Sequence, residues 1–436
     1  MQTTMSIDHQ AHTGEDGTVV RVLLTLTGEV PANAARPPIG LSLVLDRSGS
    51  MGGLPLHCVR EAAARAVERL HPQDVVGAVA FDSEVEEVGP MAPVQEQRGL
   101  PALLRALETR GSTNLSGGWL RGRQQMADAA ALLTGPGSSR RVVLLTDGHA
   151  NEGITDPDLL IGLARTARAQ GITTSTVGVG DGYDDTLLRA MADAGGGNAW
   201  YIERPDQSQD VFAEELGNLL SVSAQGVTAT LTLEPSVQML LVHSDWPVTP
   251  TANVFRFDLG DLYASEPKPL LFELFVPRGA TADRAPDALV TLATLVVRAD
   301  VITGDGTAAG VEHRELTLPI AATAAMQNLV VPEVEAAVLL ARTARHREAA
   351  ATAQRRGDSH GARDTMREAR RVLEASPLLA EPEHAPLLQQ QLADLEALEA
   401  QYRRGELHER DAKYQMQRAY NMKRGKRNYD QQLNRP

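Results

Sequence analysis

The chain has 436 residues, 42% of them hydrophobic but only 4% aromatic, and a formal net charge of −14. At about 100–200 residues per domain this length implies two to four domains, with Ala, Leu and Val rather than rings filling the cores. No apolar run approaches the roughly 18–20 residues needed to cross a bilayer, and an acidic body argues against a general nucleic-acid binder.

The first residues, MQTTMSIDHQAHTGEDG, are polar and lack the basic-then-apolar order of a secretory signal. A single cysteine, Cys58, excludes an internal disulfide framework. Together they set the expectation of a cytoplasmic protein. In 18–29, TVVRVLLTLTGE, Val20, Val22, Leu24 and Leu26 alternate with Arg21, Thr25 and Thr27, which predicts a half-buried strand. PANAARPP (31–38) ends it.

The texture changes over 39–222. Apolar runs at 41–45, 75–81, 141–145 and 172–179 read as strands, separated by helical patterns. In 54–70, Leu56, Val59, Ala63, Val67 and Leu70 form a stripe; Cys58 lies among them and reads as a small packing residue. The segment 156–171 opens with acids and proline and closes at glycine, and 206–220 sets Phe212, Leu216 and Leu219 on one face. Strands alternating with helices imply a parallel sheet covered on both sides.

Over 225–320 alternation returns without helices. VTATLTLEP, VFRFDLGDL, PLLFELFVP, LVTLATLVVRADVI and HRELTLPI are five candidate strands of a β-sandwich, which the strand at 18–29 is expected to join. From 332 the composition turns to Ala, Glu, Arg, Leu and Gln, predicting helices over 333–358, 360–376 and 385–406. The last 36 residues hold ten Lys/Arg against four Asp/Glu, a basic tail expected to be mobile at its end. The domains are therefore drawn as 1–38, a segment lending a strand to the sandwich; 39–222, α/β; 223–322, sandwich; 323–409, helical; and 410–436, basic tail.

One stretch asks for chemistry. In 41-LSLVLDRSGSMGG-53 a hydrophobic strand ends in Asp46, Ser48 and Ser50, three oxygen-bearing side chains on alternate positions. Side chains at the carboxyl end of a parallel strand enter the crevice where ligands bind. A carboxylate and two hydroxyls are hard donors suited to Mg²⁺; the same residues are also favoured as turn and helix-cap residues. Two further loops match it. GSTNLSGG (111–118) supplies Thr113, and LLTDGHANEG (144–153) ends another buried strand in Asp147.

With DRSGS at 46–50, Thr113 in GSTNLSGG and Asp147 in LTDGHANEG, residues 39–222 resemble the von Willebrand factor A (VWA) family. The resemblance implies a doubly wound, Rossmann-like α/β domain beside the β-sandwich and the helical C-terminal region. It also implies a metal-ion-dependent adhesion site whose ligands, direct or through water, are Asp46, Ser48, Ser50, Thr113 and Asp147. The implied cofactor is Mg²⁺, with Mn²⁺ or Ca²⁺ as alternatives in the same site. The implied partner is an acidic side chain of another protein; the role expected of this chain is that of an intracellular scaffold or adaptor. In the family, ligand binding can accompany a shift of the domain's last helix, here about 206–222.

Other readings compete. A metal-dependent hydrolase would need a base or nucleophile, and none pairs with the site; there is no Walker A, no GxSxG, and 178-GVGDGY-183 fails the dinucleotide spacing at Tyr183. The chain is thus expected not to be an enzyme. KRGKR (423–427) with Tyr414, Tyr420 and Tyr429 could bind acidic partners or RNA, the alternative being a stress-response component that acts through this tail on nucleic acid or membrane lipid, against a solvated end as the plainer account. Asp181, Asp184 and Asp185 resemble a calcium loop only loosely and read better as helix caps, while His57, His149 and His313 lack zinc spacing.

Overall fold

The computed structural model describes all residues except 9–16, 30–36, 134–136, 148–149, 181, 203–210, 212–214, 216, 218–220, 265, 278–287, 304–305, 320–330, 405–408 and 427–436. The chain starts with β1 (Gln2–Ile7) and β2 (Thr18–Thr27), then enters a six-stranded sheet built from β3 (Ile39–Asp46), β4 (Val75–Phe81), β5 (Val85–Pro93), β6 (Ser139–Thr146), β7 (Ile172–Val179) and β8 (Gly196–Ile202). Their order is β5-β4-β3-β6-β7-β8. Five strands are parallel; the edge strand β5 runs antiparallel to β4, a hairpin not anticipated from the sequence.

The apolar runs are buried on both faces because helices cover both. Leu41, Leu43 and Leu45 of β3 pack with α1 (Leu54–Arg69) and α2 (Leu100–Arg105). Their neighbour Val44 points the other way, into the core of α3 (Leu115–Asp128), α4 (Pro157–Ala169) and α5 (Asp185–Gly195). Period-two alternation thus divides one strand between two cores. Helix α3 lies tight on the sheet because it is glycine-rich: a Cβ at Gly118 would sit 2.4 Å from the Phe81 ring, and one at Gly122 2.3 Å from Val44.

Two antiparallel sheets make the sandwich. One has the order β1-β2-β13-β10 and the other β11-β12-β9-β14-β15, from β9 (Val222–Leu233), β10 (Gln238–Val242), β11 (Val248–Thr251), β12 (Val254–Tyr263), β13 (Lys268–Val276), β14 (Leu289–Thr303) and β15 (Gly306–Pro319). The early strand does join it, pairing β2 with β13 from Lys268↔Leu26 to Val276↔Thr18. The α/β unit is therefore inserted between two parts of one β-domain. The sequence reading missed β1, β10 and β11, which are short or weakly alternating. Of the helix expected at 206–220, Val211, Glu215 and Gly217 are helical, while Phe212, Leu216 and Leu219 lie outside the described residues.

A buried ionic network ties the two units. Arg141, on β6, donates to Glu215 Oε1 (2.8 Å), Asp261 Oδ2 (3.2 Å) and the Tyr263 hydroxyl (3.0 Å). Glu215 also accepts from Ser175 (2.5 Å), Asn198 (3.0 Å) and Trp200 (2.8 Å). Burial alone would raise the Glu215 carboxyl, but the Arg141 charge and these donors outweigh it and hold it below the usual range.

The C-terminal region forms α6 (Pro332–Arg355), α7 (Ser359–Glu374), α8 (Ala385–Arg404) and α9 (Glu409–Lys423). The expected solvated tail at 410–436 needs correction: 409–423 is helical, and Lys413, Arg418 and Lys423 on it are buried. Lys413 Nζ donates to the Tyr183 carbonyl (2.7 Å), and Lys423 Nζ to Glu348 Oε2 (2.6 Å). Arg424 donates to Asp193 Oδ1 (2.6 Å) and lies 4.2 Å from the Trp246 ring centroid. Lys426 donates to Asn198 Oδ1 (2.8 Å) over Trp200. Between the last two the chain turns at Gly425 (φ 74°), where a Cβ would meet Pro269 Cδ at 2.6 Å. Acids and rings of the body thus absorb charges that in isolation read as solvated. Arg427 and Tyr429 lie outside the described residues.

Gly118→Ala exchanges about 1 kcal/mol of gained helix propensity for overpacking against Phe81 that costs about 1–3 kcal/mol. Denaturant unfolding should show a net loss; unchanged or raised stability would contradict this packing. A second expectation concerns Lys268, buried with Nζ donating to the Leu259 carbonyl (2.6 Å). Burial pushes its amine from 10.5 down to about 7 against the pull of Glu266 and Asp261, and Arg424 and Lys426 push the same way. The folded state thus sheds this proton above neutrality while the unfolded chain keeps it, so stability rises with pH from about 7 toward the unfolded value. Lys268→Met should flatten that slope in unfolding measured against pH.

Candidate metal-binding site

Parallel pairing of β3 with β6 (Leu45↔Leu145) sets Asp46 and Thr146 side by side at the carboxyl edge of the sheet. Thr146 Oγ1 donates to Asp46 Oδ2 at 2.5 Å, and the Ser48 amide to Asp46 Oδ1 at 2.8 Å. The chain then winds one 3₁₀ turn, Gly49–Met51, and the buried Met51 anchors it in the core. That turn brings the Ser48 and Ser50 hydroxyls within 3.1 Å of each other. Ser48 is buried and Ser50 exposed.

Backbone hydrogen bonds stitch the other two loops to this one. The Gly49 amide donates to the Gly111 carbonyl (3.2 Å) and the Arg110 amide to the Arg47 carbonyl (2.9 Å). The Thr113 carbonyl accepts from the amides of Asn151 (3.0 Å) and Glu152 (3.1 Å), four and five residues after Asp147. Asn114 caps α3, its Oδ1 accepting from the Gly117 amide at 2.9 Å. Three loops far apart in sequence therefore meet as expected, with Thr113 buried between the other two.

A residue that the sequence reading passed over braces them. Asp82, just past the end of β4, accepts from Arg47 Nε (2.7 Å) and Arg110 Nε (2.8 Å) through Oδ2. Its carbonyl accepts from the Asn114 amide (2.8 Å). Burial opposes its charge, but the Glu84 amide, Arg110 and Arg47 prevail and hold the carboxyl below the usual range. The signal was present: 81-FDSE-84 ends a buried apolar run in Asp, as LSLVLD does.

The two carboxylates of the site are poorly accommodated as they stand. Burial pushes the Asp46 carboxyl up to about 6, with the Asp147 charge adding to the shift and the bonds from Ser48 and Thr146 opposing it. Asp147 is only 7% exposed, and its Oδ1 accepts no hydrogen bond among the described residues. A buried unpaired carboxylate oxygen beside a second buried carboxylate is a place a cation would stabilise. The five side chains offer oxygen alone, which suits a hard divalent cation. Among the described residues no group of three or more His, Cys, Asp or Glu is placed to hold a metal; this constellation has two carboxylates plus hydroxyls.

The remaining candidates resolve simply. Asp184 caps α5, accepting from the amides of Thr186 (3.1 Å) and Leu187 (3.0 Å), and Asp185 pairs with Arg355 at 2.9 Å. Cys58 is buried in the α1 packing stripe. Asp181 and His149 lie outside the described residues. Among the described residues no helix is long and apolar enough to cross a membrane.

Because the folded Asp46 carboxyl holds its proton up to about pH 6 and the unfolded one only to about 3.8, its contribution to stability is intact below the lower value. It is lost as pH rises through the upper one. The metal-free protein should weaken between those limits by about 2–3 kcal/mol at most. Asp46→Asn should remove the loss and be the more stable protein at pH 7 in EDTA; an equal or lower melting temperature would refute it.

Residues 41–214 match the family model of the von Willebrand factor type A domain. An uncharacterized protein of Synechocystis sp. is 29% identical over 253 residues, 55% of this chain and 58% of that protein. The uncharacterized protein YfbK of Escherichia coli is 29% identical over 246 residues, 55% of this chain and 42% of its own length. The chain thus spans about half the length of these curated relatives. A von Willebrand factor type A structure from Catenulispora acidiphila shares the fold with a TM-score of 0.67 at 18% identity, covering 89% of this chain and 88% of that one. By sequence match and by fold, residues 41–214 are similar to the von Willebrand factor type A domain, which is generally a metal-dependent protein-interaction module.

Proposed function

We propose that this domain binds Mg²⁺ through Asp46, Ser48, Ser50, Thr113 and Asp147 and uses it to capture an acidic side chain of a partner protein, as an intracellular scaffold or adaptor. The observation that carries this is the buried Oδ1 of Asp147, without a hydrogen-bond partner among the described residues, next to an Asp46 carboxyl whose ordinary acidity is suppressed. A divalent cation bound there supplies an electrophilic coordination position that a partner carboxylate can fill. Mn²⁺ or Ca²⁺ would satisfy the same oxygens.

The residues around the site support binding rather than catalysis. The Ser48 and Ser50 hydroxyls lie 3.1 Å apart as two adjoining hard oxygen donors. Asp46 is locked by the Ser48 amide and Thr146, which fixes its direction. Asp82, Arg47 and Arg110 hold the first two loops rigid around the ligands, and preorganisation lowers the cost of binding. The tail-based reading finds no support: Lys423, Arg424 and Lys426, which would track phosphates, are buried in ion pairs and against rings.

Titration calorimetry with MgCl₂ at neutral pH should show one divalent site, lost in Asp147→Ala. Affinity should fall about tenfold per pH unit below about 6, because Asp46 must release its proton for the metal to bind. Heats and melting curves identical with Mg²⁺ and with EDTA would overturn the proposal.

A further inference from the structure

The charge around the three loops is lopsided. Six carboxylates (Asp46, Asp82, Glu84, Glu86, Asp147 and Glu152) share the region with two guanidiniums, those of Arg47 and Arg110. Both guanidiniums are already engaged. Arg47 contacts Asp82 and Glu86, each at 2.7 Å. Arg110 contacts Asp82 at 2.8 Å and Glu84 at 3.3 Å. A divalent cation would offset half of the remaining negative charge, so the rim stays acidic even when the site is filled.

Two of these acids, Glu84 and Glu152, reach the surface. The Glu84 side chain is 81% exposed. Glu152 Oε1 accepts from Ser83 Oγ at 3.2 Å, and Ser83 Oγ accepts from the amide of Ser112, the residue before Thr113, at 2.9 Å. Glu84 and Glu152 therefore share one rim beside the Thr113 loop. Independently, Asp147 Oδ1 is buried and has no hydrogen-bond partner among the described residues, where a cation would stabilise it.

A partner carboxylate approaching such a rim meets repulsion from every acid that the metal does not neutralise, and like-charge juxtaposition at an interface is strongly disfavoured. A cation carried next to that carboxylate reverses the sign of the encounter and speeds association. We propose that the partner presents its coordinating Asp or Glu with a lysine or arginine close by in sequence, seated against Glu84 and Glu152. This rests on the metal-dependent capture proposed above and names the chemistry of what is captured. An acid-rich segment is the ligand that this rim rejects.

The test is fluorescence anisotropy of the full chain with short labelled peptides that carry one central aspartate flanked by lysines, by glycines or by glutamates, in Mg²⁺ and in EDTA. In Mg²⁺ the lysine-flanked set should bind about tenfold more tightly than the glycine-flanked set, the glutamate-flanked set should bind most weakly, and added salt should narrow the spread. The double variant Glu84→Lys with Glu152→Lys should invert the order, an outcome that misfolding would not produce. Mg²⁺-dependent binding with equal affinity for all three sets would overturn this inference and leave metal-dependent capture standing. Absence of Mg²⁺-dependent binding for every set would overturn both.

Discussion

Two parallel strands end side by side, and each ends in an aspartate region that the fold then buries. Asp46 closes β3, Thr146 closes β6, and Asp147 follows. Because β3 and β6 are hydrogen-bonded neighbours in a sheet covered on both faces, the two carboxylates are forced close together away from water. Burial suppresses the acidity of one and leaves an oxygen of the other without a hydrogen-bond partner among the described residues. A domain folded for stability alone would not retain that arrangement; a binding site that takes up a cation has reason to. The remaining features of the upper edge serve this pair. Asp82 clamps two loops through Arg47 and Arg110, the Thr113 carbonyl holds the third, and α3 sits close enough to matter because Gly118 and Gly122 carry no side chain.

The opposite concern, keeping a domain inserted in a sandwich in place, is met with ions and rings. Arg141 and Glu215 connect the central sheet to Asp261 and Tyr263 of the sandwich. The C-terminal helix adds Lys413, and the turn that follows it Arg424 and Lys426, each against an aromatic face as well as a polar partner. Buried charges of this kind contribute less to stability than their number suggests, but removing one partner is costly. Their effect is to fix the units in one relative placement. Tyr183, which Lys413 holds, lies in the loop after β7, the strand next to β6, so the helical region touches the sheet edge that carries the site.

Much of this was legible in the residues. Buried runs such as LSLVL and VVGAVAF announced parallel strands, and alternation in TVVRVLLTLT announced a sandwich strand that the structure pairs with β13. The Asp-x-Ser-x-Ser turn, Thr113 and Asp147 were found because short polar residues at the ends of apolar strands are conspicuous. The rest was hidden for identifiable reasons. Strand β11 is four residues long and fully exposed, so it carries no hydrophobic period. The direction of β5 is set by a short turn after β4, not by its composition. Locally Asp82 reads as a turn residue, accepting from the Glu84 amide, and its value lies in arginines 35 and 28 residues away. The basic end misled because charge alone predicts exposure, whereas its partners Asp193, Asn198 and Trp246 lie in other units.

The central claim is that Asp46 and Asp147 hold one divalent cation between them. Crystals soaked in Mn²⁺ and measured at the manganese absorption edge test it most directly. The account predicts a single strong anomalous peak bridging those two carboxylates and the Ser48, Ser50 and Thr113 hydroxyls. A map with no peak there, or with manganese bound elsewhere and Asp147 Oδ1 still unpaired, would contradict it.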